Sequence, residues 1–159
     1  MTYKEQLRKI WRQYEVENGE EPHAVRECFD WAVERGLWAP RPQDIAKIFG
    51  REMSEALRQE IRVDELGRHY RAKHCVRENR GGVQLALWND IDRAPRSFME
   101  KSFQQRRQGI VRDSYQLKMD VDHFNDCHSK GNPIQLILNF EDDVAEIEAE
   151  KAYGDEDVA

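Results

Sequence analysis

The spacing of apolar residues near the start of the chain predicts two amphipathic helices. In residues 3–17, apolar side chains recur every three or four positions and so share one helical face: Leu7, Ile10, Trp11 and Tyr14. A second helix begins after Pro22, a residue tolerated in a first helical turn, and ends at Gly36. Its apolar face is formed by Val25, Cys28, Phe29, Ala32 and Val33. An N-terminal helical pair is therefore expected.

In the middle of the chain, the spacing of apolar residues changes from a helical to an alternating pattern. Two further helices are predicted over 42–50 and 51–66, separated by Gly50. From His69 to Asp90, apolar and polar residues alternate instead, which indicates β-strands. The letters NRGG within this stretch supply residues that tolerate a positive φ in a tight turn. An antiparallel hairpin is therefore expected there.

Residues 95–127 predict one long helix with a seven-residue apolar repeat. The repeat consists of Phe103, Ile110, Leu117 and Phe124. At 1.5 Å per residue the helix would be about 45–50 Å long, which exceeds the diameter of so small a body. The overhanging apolar stripe must be covered, most simply by a second subunit, so a homodimer through this helix is expected.

Two elements are expected near the C-terminus. Residues 134–140 alternate between apolar and polar and predict a strand, and residues 144–153 predict a short helix. The expected fold class is mainly α with a small antiparallel β-sheet (α+β). We expect one globular domain over 1–140, followed by an acidic C-terminal helix and tail over 141–159.

Charge divides the chain into a basic middle and an acidic end. The 159 residues carry a formal net charge of −6. Residues 141–159 contain nine acidic residues and one lysine, a local charge of −8. Residues 58–112 contain thirteen Lys and Arg and seven Asp and Glu, a local charge of +6. Such a basic region favours a polyanionic partner, although a solvated surface of ion pairs is equally compatible with it.

Other features of the composition bear on location. No apolar run is long enough to cross a bilayer, and no basic stretch followed by an apolar one opens the chain, so a cytoplasmic protein without membrane contact is expected. The three cysteines fit reduced thiols better than a disulfide framework, because they are odd in number and far apart. They are Cys28, Cys75 and Cys127.

The segment DIAKIFG resembles the first helix of a helix-turn-helix motif, in which a small residue, here Ala46, precedes glycine, here Gly50, by four positions. With the helix and hairpin that follow, residues 42–91 resemble a winged helix-turn-helix domain, which implies DNA binding by a recognition helix and a wing. The second helix carries the acidic residues Glu52, Glu55 and Glu60. Because these would face phosphates poorly, the hairpin is expected to supply the contacts. A helical scaffold that carries an ordinary hairpin is the alternative.

The candidate nucleic-acid-binding residues are cations of the hairpin and of the long helix. They are Arg68, Arg71, Lys73, Arg77, Arg80, Arg106 and Arg107. Alternation along the first strand would place the hairpin cations on one face and half-bury the other face. Arg77 and Arg80, near the tip, could contact phosphates or enter a minor groove. Alternatively, these cations only keep an exposed sheet edge soluble.

Catalytic signatures are absent from the sequence. It contains no glycine-rich phosphate loop, GxSxG, HExxH or dinucleotide fingerprint, so neither an enzyme nor a cofactor is expected. Two pairs at four-residue spacing share helix faces, Asp122 with Asp126 and His123 with Cys127. Further zinc-type ligands in the hairpin are His69, His74 and Cys75. Their spacing matches no zinc signature, so no metal site is assigned.

Three functions remain open at this point. The leading hypothesis is a DNA-binding accessory or regulatory protein whose basic hairpin wing contacts phosphates of duplex DNA. The first alternative is a protein-interaction adaptor or inhibitor that binds a protein partner through the apolar stripe and an acidic, nucleic-acid-like tail. The second alternative is a metal-dependent hydrolase built on Asp122, His123 and Asp126.

Overall fold

The computed structural model describes residues 1–156 and contains five helices and four short strands. The predicted α+β class, mainly helical with small antiparallel sheets and a long helix near the C-terminus, is confirmed. The chain forms two compact units, of which the first is Met1–Gln59 and the second begins at Glu60. No helix among the described residues combines the length and the apolar character needed to cross a membrane.

The first unit contains the predicted helical pair, α1 (Tyr3–Asn18) and α2 (Val25–Glu34). Thr2 and Glu5 form a reciprocal capping box at the start of α1, which satisfies backbone N–H groups that have no helical partner. Gly36 ends α2 at φ +66°, a conformation that glycine adopts without steric cost. The small core between the two helices consists of Tyr14, Cys28, Trp31 and Ala32.

Helix α3 (Pro42–Gln59) completes the first unit and corrects one prediction. The predicted break at Gly50 is wrong, because one continuous helix runs through it. Glycine inside a helix costs only about 1 kcal/mol relative to alanine, which the surrounding helix-forming residues offset. Residues 42–59 therefore supply one helix instead of the two of a helix-turn-helix motif, and the unit boundary falls between this helix and the hairpin.

The second unit begins with a sheet that the sequence did not reveal. Strand β1 (Ile61–Val63) pairs antiparallel with β2 (His69–Arg71). The prediction that a helix continues to Leu66 is wrong, since α3 ends at Gln59. In β1 the branched residues Ile61 and Val63 flank an arginine, an alternation that suits a strand and interrupts the helical period.

The predicted hairpin is confirmed over 73–90, as is the long helix, whereas residues 69–71 belong to β2 and pair with β1. Strands β3 (Lys73–Arg80) and β4 (Val83–Asp90) pair antiparallel across a turn in which Gly81 and Gly82 have φ of +58° and +82°. Helix α4 (Arg96–His128) packs against β3 and buries Met99 and Ser102. The core of this unit also contains Ala72, His74 and Val76.

The chain beyond α4 departs from the prediction at one place. The predicted strand at 134–140 is wrong, because these described residues form no strand and pair with none. The side-chain amide of Asn125 instead bonds both backbone groups of Ile134, at 2.7 and 2.8 Å. Helix α5 (Glu141–Glu156) confirms the last predicted helix and extends it. The end of the predicted acidic tail, 157–159, lies outside the described residues.

Candidate anion-binding surface of the hairpin and long helix

The register of the hairpin decides which of its cations share a face. Lys73 pairs with Asp90, and Arg77 pairs with Ala86. Because side chains alternate along a strand, Lys73 and Arg77 lie on one face, whereas Arg80 lies on the opposite face with His74 and Val76. The expectation that all hairpin cations share one face is therefore wrong for Arg80, and Arg68 and Arg71 lie outside the hairpin, before β2 and at its end.

Three of the seven predicted cations bind carboxylates of the second unit. Arg68 Nε lies 2.7 Å from Asp64, and Arg80 Nε lies 3.0 Å from Glu78. Lys73 Nζ lies 3.0 Å from the buried Asp90. Their positive charge is thus largely balanced within the protein, which makes them poor ligands for an external anion.

Asp90 is the centre of an ion-pair network formed with Arg62, Lys73 and Asp92. The Arg62 guanidinium donates to both carboxylate oxygens of Asp90, at 2.9 and 2.6 Å, and to Asp92 at 2.7 Å. Arg62, the backbone N–H of Asp92 and Lys73 hold the pKa of Asp90 well below its usual range, and the carboxylates raise the pKa of Arg62. This network joins β1 to the open end of the hairpin and so serves the fold.

The other four predicted cations form what we call the arginine surface: Arg71, Arg77, Arg106 and Arg107. All four are exposed, and none has a carboxylate within ion-pair distance among the described residues. Partial desolvation lowers the pKa of the Arg106 guanidinium, and the positive charge of Arg71 lowers it further. Two like charges therefore lie within electrostatic range, and an anion bound between them would relieve their repulsion.

Two side chains of α4 form hydrogen bonds with the backbone of β3 along the edge that does not pair with β4. The Gln105 side chain accepts from the N–H of Arg77 at 2.8 Å and donates to its carbonyl oxygen at 3.0 Å, as a neighbouring strand would. Ser102 donates to the carbonyl oxygen of Cys75 at 2.7 Å. Of the three elements that carry the arginine surface, β3 and α4 are therefore fixed to each other around Gln105, and Arg71 lies at the end of β2.

Arg71 is positioned by a buried histidine. His74 Nε2 lies 2.8 Å from the carbonyl oxygen of Arg71 and donates a hydrogen bond to it. The imidazole also meets the ring of Phe103 edge-on, with the ring centres 5.4 Å apart. His74 thus links the end of β2, where Arg71 lies, to α4, which carries Arg106.

The first unit contains a basic helix face whose cations were not among the predicted nucleic-acid-binding residues. Lys4, Arg8, Lys9 and Arg12 are all exposed along α1. No carboxylate among the described residues pairs with any of the four. The four-residue spacing of Lys4, Arg8 and Arg12 was a usable signal, since it places them on one helical face.

Beside this basic face an open cleft of about 480 Å³ lies between α1 and α2. Its floor is the indole of Trp31, on which the Arg35 guanidinium stacks at 4.7 Å from the ring centre. Glu17 accepts from both of these side chains, at 3.2 and 2.7 Å. The polar groups of the cleft floor therefore form hydrogen bonds with one another.

The residues weighed for metal binding do not assemble into a site. Cys127 Sγ lies 3.8 Å from His123 Nδ1, and Asp122 pairs with Lys118. His74 is buried, and its Nε2 is hydrogen-bonded to the carbonyl oxygen of Arg71. Among the residues that the structure describes, no group of three or more His, Cys, Asp or Glu could hold a metal ion.

Comparison with known proteins assigns no family to this arrangement. No protein-family model, no curated protein and no solved structure matches the chain. The function is therefore argued from the arrangement of charges alone.

Proposed function

We propose that the protein is a DNA-binding accessory or regulatory protein of the cytoplasm that contacts phosphates of duplex DNA through the arginine surface. The observation that carries the proposal is that Arg71, Arg77, Arg106 and Arg107 have no carboxylate partner among the described residues. Four other arginines of the same unit do have one: Arg62, Arg68, Arg80 and Arg96. Arg93 and Arg112 are the remaining arginines of this unit without such a partner among the described residues. Guanidinium groups bind phosphate through charge-assisted hydrogen bonds. Such contacts fix a protein on DNA without reading its sequence.

The acidic helix α5 supplies a means of modulating this binding. Six exposed acidic residues lie in its first ten positions: Glu141, Asp142, Asp143, Glu146, Glu148 and Glu150. They carry the charge of a phosphate chain and would compete with DNA for the same guanidinium groups. Replacing them with Asn and Gln should therefore strengthen DNA binding.

The direct experiment measures the binding of a fluorescent duplex by anisotropy at low salt. The variant Arg71→Ala/Arg77→Ala should bind at least about tenfold more weakly, because each loss removes a charge-assisted contact. The matched control is Arg68→Ala/Arg80→Ala, which removes the same charge from arginines that already have carboxylate partners. Equal losses in both variants, or no binding of the unaltered protein at low salt, would refute the proposal.

A protein-interaction adaptor or inhibitor is the second candidate, and α5 is the observation that favours it. None of its six exposed acidic residues has a cationic partner among the described residues. Such a helix could occupy a nucleic-acid-binding protein in place of nucleic acid. Under this candidate, a partner captured from extract survives nuclease treatment and is lost when the six acids are neutralised.

A further inference from the structure

The apolar stripe of α4 is largely uncovered. Its repeat residues Ile110, Leu117 and Phe124 are 56%, 46% and 43% exposed. Of the described elements, only β3 packs against α4 over more than a few residues, and it contacts the first third of the helix. The remaining two thirds of a 33-residue helix therefore expose a seven-residue apolar repeat, the pattern by which helices pair in coiled coils.

We propose that α4 packs antiparallel against α4 of a second copy of this chain. Ile110 then meets Leu117 of the partner subunit, and Phe103 meets Phe124 of the partner subunit. Between these layers lie Arg107, Ser114 and Val121, which occupy the other seam positions of the same heptad frame. The pairing covers the exposed apolar repeat and needs no other protein.

The charges beside the stripe favour the antiparallel orientation. Arg106, Asp113 and Asp120 recur every seven residues along one flank of the stripe. In antiparallel pairing, this flank of one helix lies beside the same flank of the partner helix, and the two run in opposite directions. Arg106 therefore lies beside Asp120 of the partner subunit, and this contact occurs twice in the dimer. A parallel pair would instead stack Arg107 on Arg107 of the partner subunit within the apolar seam, where like charges are costly.

The electrostatics of Arg106 give independent support. Arg71 and Arg106 lie within electrostatic range of each other and have no carboxylate partner among the described residues. The antiparallel register brings the partner's Asp120 to this position and supplies the missing anion. DNA phosphates would then compete with the partner subunit for Arg106 and for Arg107 of the seam, so DNA binding and self-association oppose each other at both arginines. The dimer itself does not depend on the proposed DNA binding.

Sedimentation of the full chain over a range of concentrations tests the pairing. Leu117→Glu should abolish the dimer, whereas Met119→Glu, the same change on the far side of α4, should leave it intact. Arg106→Glu and Asp120→Arg should each weaken it about tenfold or more, and the two together should restore it. Arg112→Glu, on the far side as well, is the control for charge. A monomer at every concentration, or no restoration in the double variant, would overturn the proposal.

Orientation has its own test. Antiparallel pairing places Asp113 against Asp113 of the partner subunit at the two-fold axis, so Asp113→Asn should tighten the dimer. In a Cys127→Ser background, Ser114→Cys should form an interchain disulfide on oxidation and Val121→Cys should not. Efficient cross-linking through Val121→Cys would mean a parallel pair and would refute the antiparallel arrangement. Since none of these readouts involves DNA, their failure is distinguishable from a failure of the proposed function.

Discussion

Arg62 and Arg71 lie on opposite faces of the same two-stranded sheet and have opposite surroundings. Arg62 pairs in register with Tyr70 and faces Asp90 and Asp92, which bind its guanidinium. Arg71 pairs with Ile61 and lies within electrostatic range of Arg106 instead. One arginine therefore stabilises the fold, while the other remains available to an external anion. Residue type alone did not distinguish them; the strand register did.

The largest effect should come from the carboxylate that Arg62 shares with Lys73. Asp90→Asn removes the buried carboxylate that binds both Arg62 and Lys73 and leaves them only the more exposed Glu60 and Asp92. Removing one member of a buried charge network is strongly destabilising. We expect a large fall in the unfolding temperature, measured by circular dichroism. Arg71→Ala, which removes no described ion pair, should change it little. Similar falls in the two variants would show that the two faces of the sheet do not differ in the way described.

Acid should weaken the same network. Because the folded-state pKa of Asp90 is lowered, its contribution to stability is complete above the pKa of the unfolded chain, about 3.9, and is lost as the pH falls through the lower folded-state pKa. Urea unfolding should thus show a steep loss of stability below about pH 4. Asp90→Asn should flatten this loss, and an unchanged acid slope in that variant would contradict the role given to Asp90.

A smaller effect is expected where α4 meets β3. Gln105→Ala removes two hydrogen bonds to the backbone of Arg77, which is exposed enough for water to replace them. The free energy of unfolding should fall by about 0.5–1.5 kcal/mol. DNA binding should weaken as well, because Arg77 and α4 lose their common anchor. Full binding in a variant with this loss of stability would show that the arginine surface needs no such anchor.

Local patterns predicted most of the fold. The helical pair, the hairpin with its NRGG turn and the long helix all follow from periodicity and turn chemistry, which act over a few residues. Gly50 was misread because a helix tolerates one glycine. Residues 134–140 were misread because alternation makes a strand only where a neighbouring strand is available.

The candidate surface was predictable in part. The sequence identified the arginines, but it did not show which of them have carboxylate partners. Arg62 and Asp90, for example, are 28 residues apart and form their ion pair only because residues 61–63 form β1, which was predicted to be helical. The link between β2, which carries Arg71, and α4, which carries Arg106, likewise depends on His74. Such contacts between distant parts of the chain leave no local pattern.

The central claim is that arginines without carboxylate partners bind phosphate, and the salt dependence of DNA binding tests it most directly. Each phosphate contact releases counterions and adds about 0.9 to the slope of log affinity against log salt concentration. Arg71→Ala/Arg77→Ala should reduce that slope by about 1.8, and Arg68→Ala/Arg80→Ala should leave it nearly unchanged. Equal slopes for the unaltered protein and the Arg71→Ala/Arg77→Ala variant would contradict the account.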